Sequence, residues 1–282
     1  MREPKSYRVV KYNNELNGLK LKEWSKEDLN FFFAVIAEAR DKGTAELYFT
    51  VDHLIEVTGY TKVNNKRTNA FLWELCNKAS TLRWIEYMKR IIPLFSLFET
   101  DIDENENVIG IKVELSKHYE YILNQLTANF TSFELEEFLK LKSIYSKQLY
   151  RYLKQWRTIG RKEFKIDEFK EILNIPESYR KCDIDARVMK PILTELSTAF
   201  KNLTVSPIKA RKKGSPIIAY LFEWDAEQTG QWQDDKPYTF EHNEQKRDKE
   251  PELPKWYDYV DETPASKELL EKALRLQRGE KD

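Results

Sequence analysis

The sequence is poor in the residues from which metal-binding and catalytic sites are commonly built. It contains two cysteines and three histidines in 282 residues. Cys76 and Cys182 lie far apart, which excludes a disulfide framework and a zinc site of the usual spacing. His53, His118 and His242 form no paired-histidine motif, so a metal-dependent nickase would lack its ligands. None of the eight glycines builds a phosphate-binding loop, which excludes a P-loop ATPase.

Long apolar runs are missing as well. No stretch approaches the length of a transmembrane helix, and residues 1–20 are polar throughout, so we expect neither a membrane span nor a signal peptide. Together with the scarcity of cysteine, this predicts a cytoplasmic protein. Composition leaves a nucleophilic tyrosine open among 15 tyrosines, but Tyr145, Tyr150 and Tyr152 have the helical spacing of a core. We therefore predict no enzymatic activity and no cofactor.

The net charge is zero, but the charges are sorted along the chain. Residues 1–139 hold 18 Lys and Arg against 22 Asp and Glu, a balance of −4. Residues 140–224 hold 19 against 9, a balance of +10, and residues 225–282 hold 10 against 16, a balance of −6. A strongly basic segment between acidic ends is typical of a protein that binds a polyanion such as nucleic acid.

Two stretches 115 residues apart have the same pattern, "FTVDHLIEVTGY" (49–60) and "FKIDEFKEILNI" (164–175). Each predicts a short strand, an Asp N-cap at Asp52 or Asp167, and a short helix closed by Gly59 or Asn174. An amphipathic helix precedes each copy: one capped by Ser25, the other predicted over residues 132–156. A polar turn, a helix (64–82 or 182–200) and a hairpin follow each copy.

This order, given twice, predicts a mostly helical α+β fold: two tandem winged-helix domains, followed by a largely disordered tail. We place the domains at residues 1–128 and 129–225, and the acidic tail at 226–282. The tail carries one amphipathic stretch, 266–279, which is either a nascent helix or a docking segment. The alternative is two α+β domains without any role in nucleic-acid binding.

The second unit concentrates the cations that favour DNA binding. Its candidate recognition helix has Arg and Lys on one face, and four cations crowd the tip of its hairpin, or wing. Arg suits bidentate contact with guanine and Lys suits phosphate. Pro191 predicts a kink in this helix. The candidate DNA contacts are Arg180, Lys181, Arg187, Lys190, Lys209, Arg211, Lys212 and Lys213. The alternative is a solvated helix whose cations pair with Asp183 and Asp185.

In the first unit, the candidate recognition helix opens with "NNKRTN" (64–69), capped by Asn64 or Asn65. The N-terminal end of such a helix reaches base edges, and Asn pairs well with adenine. The candidate contacts are Asn65, Lys66, Arg67 and Asn69. An ordinary capped surface helix is the alternative.

The two wing tips have opposite charge. The first, "ETDIDENEN" (99–107), carries five carboxylates, which duplex phosphates would repel. We expect the second unit to anchor the chain on DNA. The first unit would contact DNA through its helix and govern self-association, its apolar strand (91–98) serving as an edge for another subunit.

Several motifs resemble the initiator Rep family of theta-replicating plasmids, whose origins carry direct repeats called iterons. They are "YRVVKYNNELN" (7–17), "SIYSKQLYRYLKQW" (143–156) and "FKIDEFKEILNIPESY" (164–179) followed by "DIDARVMKPILTEL" (183–196). The last two are the most specific. The resemblance spans roughly residues 5–225 and leaves the tail outside. It matches the helix and wing of the second unit by motif, and "NNKRTN" by position only.

The resemblance implies an initiator that binds iterons in double-stranded origin DNA as a monomer, through both domains. It also implies melting or bending of an adjacent AT-rich segment and recruitment of the host initiator and replicative helicase. A dimer joined through the first domain would repress its own promoter. A stand-alone transcriptional regulator is the rival, because tandem recognition domains do not specify an origin. A rolling-circle nickase is the enzymatic rival.

Overall fold

A computed structural model of the chain describes residues 8–19, 21–62, 64–86, 90–211 and 216–228, without the side chains of 84–90. Within these ranges the fold consists of two winged-helix units in series. No helix of this part is long and apolar enough to cross a membrane. The tail helix expected over residues 266–279 lies outside the described residues.

The first unit builds a three-stranded antiparallel sheet on three helices. The sheet order is β2-β6-β5, and β5 and β6 form the wing. Strand β1 and a 3₁₀ turn (Asn14–Gly18) precede the unit, a short hairpin β3–β4 lies before the wing, and a second 3₁₀ turn (Lys117–Ile122) follows it. The elements are β1 Val9–Asn13, α1 Lys26–Ala39, β2 Leu47–Thr50, α2 Val51–Thr58, α3 Asn65–Ser80, β3 Arg83–Glu86, β4 Arg90–Pro93, β5 Phe95–Ile102 and β6 Val108–Leu115.

The second unit repeats this plan. Its sheet order β8-β10-β9 matches β2-β6-β5 strand for strand, with β9 and β10 as the wing. Its recognition helix runs over residues 181–196 as α7, a π-turn (Ile184–Met189) and α8. The elements are β7 Phe130–Glu134, α4 Leu135–Lys140, α5 Ile144–Gln155, β8 Arg161–Lys165, α6 Ile166–Ile172, α7 Lys181–Asp183, α8 Lys190–Leu196, β9 Thr204–Lys209 and β10 Ile217–Glu223.

Several local signals act as the sequence predicts. Ser25 caps α1 in a capping box with Asp28, and Asn64 caps α3 by accepting the Arg67 backbone N–H at 2.9 Å. Gly59 ends α2 with φ at 65°, a left-handed conformation that glycine adopts without steric cost. Asn174 likewise has a positive φ of 50° just beyond α6.

The predicted helix over 132–156 is wrong. Its first residues form β7, which pairs with β1 so that Val10 lies opposite Phe133, both buried. The chain then forms the short helix α4, becomes extended at Leu141 and restarts at α5 with Ser143 as its cap. The apolar residues keep a helical spacing across both breaks. The first residues form a strand nevertheless, because β1, about 120 residues earlier in the chain, supplies its partner.

The predicted Asp caps are also displaced. Thr50 caps α2, because its hydroxyl accepts the His53 backbone N–H at 3.3 Å, and α6 starts after Lys165. Asp52 and Asp167 lie inside the first turn of each helix instead. A carboxylate is still favourable there, since it faces the positive end of the helix dipole.

The two units share a core along α1 and α5. Helix α1 buries three consecutive phenylalanines, Phe31, Phe32 and Phe33, and the Arg151 guanidinium of α5 lies 5.4 Å from the Phe33 ring centre. Residue Glu227, beyond β10, is held to α5 as well: its carboxylate lies 2.7 Å from Lys154 Nζ. The β1–β7 pairing and this ion pair cross the boundaries predicted at 128 and 225, which remain predictions.

Candidate nucleic-acid interface

The recognition helix of the second unit is wound unusually. Its backbone bonds widen to a π-turn over Ile184–Met189, where the Lys190 N–H donates to the Asp185 carbonyl. Pro191 follows directly and has no N–H to offer the fourth carbonyl before it, that of Arg187. The helix thus continues through Pro191 with a π-turn directly before it, and the kink expected from this proline stays a prediction. Such turns are frequent at functional sites.

This helix presents its cations to solvent. Arg180, Lys181, Arg187 and Lys190 are exposed, while Val188, Ile192 and Leu196 on the opposite side are fully buried. Two of the cations interact with one carboxylate: Asp183 lies 3.8 Å from both Arg180 Nε and Arg187 Nε. The predicted alternative of cations pairing with Asp183 therefore holds for these two arginines, which nevertheless keep 83% and 63% of their side chains exposed.

The far end of the helix is fixed to the core. The Glu195 carboxylate accepts backbone N–H groups of Lys142 at 2.9 Å and Ser143 at 3.1 Å, at the N-terminus of α5. A carboxylate at that position is stabilised by the helix dipole. Glu195 thereby sets where the exposed face of the recognition helix lies.

The second wing continues the basic surface. Lys209 ends β9 opposite Ile217, and Arg211 lies just beyond the bond from the Ala210 N–H to the Pro216 carbonyl. Both side chains are exposed. Lys212 and Lys213 lie outside the described residues.

In the first unit, the start of α3 also faces solvent. Asn65, Lys66 and Arg67 are exposed in its first turn, immediately after the Asn64 cap. Their exposure is compatible with the contacts that the sequence predicts, and these contacts stay predictions.

Asn69 bonds to the wing of its own unit. Its amide Nδ2 donates to the Glu106 carbonyl at 3.1 Å, and its Oδ1 accepts the Val108 N–H at 3.1 Å. Both ends of the amide are thus engaged with the wing backbone, and one N–H and one lone pair remain for another partner. Asn69 joins α3 to its wing, and its contact with DNA stays a prediction.

The first wing tip is built around a carboxylate. Asp103 Oδ1 accepts the N–H groups of Asn105 at 2.9 Å and Asn107 at 2.8 Å, and these bonds lower the pKa of Asp103. Glu104 and Glu106 point to solvent beside it. The tip is therefore both ordered and acidic, and it lies next to the first turns of α3.

Sequence comparison decides the family. A family model described as "Initiator Replication protein, WH1" matches residues 9–154, more than half of the chain. A second model, "Initiator Rep protein, WH2", matches residues 165–224. The chain belongs to the initiator Rep family.

Two known proteins place this Rep chain further. A probable replication protein rep from Bifidobacterium longum (strain NCC 2705) is 33% identical over 199 residues, which are 67% of this chain and 65% of the relative. The match thus spans slightly less than two thirds of that protein's length. A crystal structure of the Pi initiator protein in complex with iteron DNA aligns with a TM-score of 0.60 at 14% identity, covering 80% of this chain and 100% of the other. The alignment confirms the tandem winged-helix fold.

The sequence reasoning missed the surroundings of Arg187 in this Rep protein. Its guanidinium carbon lies 5.4 Å from the centre of the Tyr179 ring, in the turn before the helix. The sequence carries only a weak signal for this contact. A tyrosine directly before Arg180 and Lys181 does not indicate that its ring contacts Arg187, two helical turns further on. Among the described residues, no three His, Cys, Asp or Glu side chains are grouped to hold a metal ion.

Proposed function

We propose that this chain is a plasmid replication initiator that binds direct repeats in double-stranded origin DNA and promotes opening of the origin. The observation that carries the proposal is the second unit, whose recognition helix and wing both expose cations from one fixed platform. Arg187 and Lys190 project from the helix and Lys209 and Arg211 from the wing. A helix in the major groove with a basic hairpin beside the backbone is the docking mode of a winged helix.

The charge distribution favours DNA binding through one unit over non-specific attraction of the whole protein surface to DNA. The segment 140–224 has a balance of +10, while the preceding 139 residues have −4. One unit therefore supplies most of the attraction to phosphates, and the first adds contacts through Asn65, Lys66 and Arg67. Two recognition helices on successive turns of DNA imply a site of about 20 base pairs.

The proposal includes partners. Recruitment of the host initiator and the replicative helicase would follow origin binding, and a dimer joined through the first unit would repress the chain's own promoter. The tandem arrangement supports the division of labour, because the acidic first wing is unsuited to DNA. These partners rest on family membership and on the charge of the wing.

A salt-dependent binding titration tests the proposal. The DNAs are the direct repeats near the gene and a scrambled control, tested with the native protein and with Lys209, Arg211, Lys212 and Lys213 changed to Ala. We expect preference for the repeats, and a slope of log affinity against log salt that is shallower by about 3 to 4 in the variant. Lys42→Ala with Lys117→Ala removes two exposed cations outside α3 and both wings, and serves as the control.

Each other outcome redirects the proposal. Equal binding of the two DNAs by the native protein would remove its main support. Preference for a single inverted repeat, with no opening of an adjacent AT-rich tract, would favour a transcriptional regulator. Cutting of supercoiled origin DNA in the presence of a divalent metal would favour a nickase.

A further inference from the structure

The guanidinium of Arg187 is held by two neighbouring side chains. One face lies over the Tyr179 ring at 5.4 Å, and Nε lies 3.8 Å from Asp183 Oδ1 on the preceding helical turn. The side chain is nevertheless 63% exposed, so it remains accessible to a partner. A guanidinium that contributes only long-range attraction to phosphates does not need to be held by neighbouring side chains, because long-range attraction depends weakly on orientation.

Asp183 is fixed by more than this ion pair. Its Oδ2 accepts the Arg180 backbone N–H at 3.1 Å and lies 3.8 Å from Arg180 Nε. With 26% of its side chain exposed, the carboxylate sits between two arginines at the start of the recognition helix. A negative charge at this position weakens attraction to any phosphate backbone. Asp183 also caps the start of the helix through its bond to the Arg180 N–H, and its ion pair with Arg187 adds a contact that orients the guanidinium.

Tyr179 is supported from the core. Tyr179 and Tyr145 of α5 both pack against the core, and burial of Tyr145 together with the neighbouring Tyr179 hydroxyl raises the pKa of Tyr145 to about 12. The Arg187 and Tyr145 side chains next to the Tyr179 hydroxyl lower the pKa of Tyr179. The contacts thus run from α5 through Tyr179 to Arg187.

We propose that Tyr179 and Asp183 are positioning residues that orient Arg187 to contact a guanine edge in the repeat. Nε lies 3.8 Å from Asp183 and the guanidinium carbon lies 5.4 Å from the centre of the Tyr179 ring, so the group is held from two sides while most of the side chain stays exposed. A guanidinium held in one orientation can donate to the O6 and N7 acceptors of guanine in the major groove. Asp183 lowers the affinity for DNA in general and raises the preference for the correct sequence. The inference rests on the proposed DNA-binding function.

A mutant cycle tests it. Tyr179→Phe, Asp183→Asn and Tyr145→Phe are each made in the native chain and in Arg187→Ala, and affinity is measured on the repeats and on scrambled DNA. The readout is the ratio of the two affinities. Arg187→Ala should lower this ratio about tenfold to a hundredfold. Tyr179→Phe and Asp183→Asn should each lower it several-fold in the native chain and not at all in Arg187→Ala. Asp183→Asn should bind scrambled DNA more tightly than the native protein does.

Lys190→Ala is the matched comparison on the same helix. We expect it to weaken both DNAs alike and to reduce the salt slope by about 1, as for a phosphate contact. Tyr145→Phe changes no residue of the recognition helix. A lower ratio of the two affinities in this variant would therefore indicate a changed orientation of Arg187 and not a misfolded helix. Thermal unfolding of each variant without DNA checks that the fold is retained.

The outcomes separate this inference from the proposed function. Equal falls in the ratio with and without Arg187 would overturn the inference, because the residues would then act on the helix itself. An unchanged ratio in Tyr179→Phe and Asp183→Asn would overturn it too. If Arg187→Ala keeps the full preference for the repeats, the inference fails while the initiator function stands. If the native chain shows no preference, the proposed function fails.

Discussion

The two winged-helix units have the same strand order and opposite wing tips. The ordered tip of the first carries Asp103, Glu104 and Glu106, whereas the second begins its tip with Lys209 and Arg211. The backbone alone therefore does not decide which unit lies on DNA. We therefore expect one scaffold to support two roles, with the charge at a few exposed positions deciding between them.

Helices α1 and α5, which occupy corresponding places in the two units, differ in the side chains that they bury. Counting from the caps Ser25 and Ser143, Leu29 of α1 corresponds to Lys147 of α5, and both are fully buried. Eight residues after each cap, Phe33 corresponds to Arg151, and these two side chains contact each other. At these two positions α1 thus buries apolar side chains and α5 buries cations, which costs free energy unless each charge has a partner.

The largest effect is expected at Lys147. Its Nζ donates to the Phe138 carbonyl at 2.6 Å, and burial lowers the pKa of its ammonium from 10.5 to about 7. The unfolded chain therefore holds one more proton between these values, so this lysine's penalty is complete below pH 7 and disappears as the pH rises toward 10.5. Against Lys147→Met, the native free energy of unfolding should gain about 2 to 3 kcal/mol between pH 7.5 and 9.5.

Urea unfolding of both proteins at the two pH values measures this gain. Lys170→Met, at an exposed position of α6, is the control and should show no such difference. A constant gap between native protein and Lys147→Met would show that the buried ammonium keeps its usual pKa.

The next effect concerns the wing tips. Changing Glu104 and Glu106 to Lys gives the first tip the sign of the second, and Asp103 is kept because it orders the loop. Since the Asn69 bond holds this tip beside α3, we expect tighter binding to any DNA and a salt slope steeper by up to about 2. The same titration as for the second wing measures both.

Analytical ultracentrifugation of this variant tests the division of labour. A shift in the monomer–dimer balance is expected if the first wing governs self-association. An unaltered balance would contradict that role, and Glu177→Lys, an exposed change in the second unit, controls for net charge.

A smaller effect, on stability, is expected at Asn69. Its side chain bonds to the wing of its own unit, whereas that of Arg187 is exposed. Asn69→Ala leaves the Glu106 carbonyl and the Val108 N–H without this partner, and should lower the free energy of unfolding by about 1 to 2 kcal/mol. Preference for the repeats should not change. Asn77→Ala, exposed on the same helix, is the control. Loss of discrimination at one adenine without loss of stability would show instead that Asn69 contacts DNA, as the sequence predicts.

The smallest effect is expected at Gly110. It pairs with Thr50 as Ala219 pairs with Lys165 in the second unit, but a Cβ at Gly110 would lie 2.4 Å from the Tyr48 ring. Gly110→Ala should displace the ring and break its 3.0 Å bond to Asp101, at a cost of about 1 kcal/mol in thermal or urea unfolding.

Adding Tyr48→Ser to Gly110→Ala should abolish the further loss, because the clash is then removed. A full loss in this double variant would indicate that Gly110 matters for the strand itself, through its backbone conformation. Ala219→Gly is the reciprocal change in the second unit.

The sequence predicted the winged-helix order because each element carries a local signal. Caps at Ser25 and Asn64, a left-handed glycine at Gly59 and alternating apolar residues in the wings act over a few residues. The helix predicted over 132–156 failed because β7 exists only by pairing with β1, and no local signal reports such a partner. Arg187 and Lys190 lie on the predicted helix and Lys209 and Arg211 on the predicted wing, whereas their roles in DNA binding stay predictions.

By itself, the sequence determined the family, the repeated plan and the sorting of charge, since these follow from residue types and their spacing. Tertiary structure decided which polar groups meet. Asn69 turns to its wing, and Arg187 lies against Tyr179 and Asp183, because folding brings together groups whose spacing along the chain carries no signal. A lysine such as Lys147 acquires its low pKa for the same reason: burial is a property of the packed core, which the chain creates only when both units close around α1 and α5.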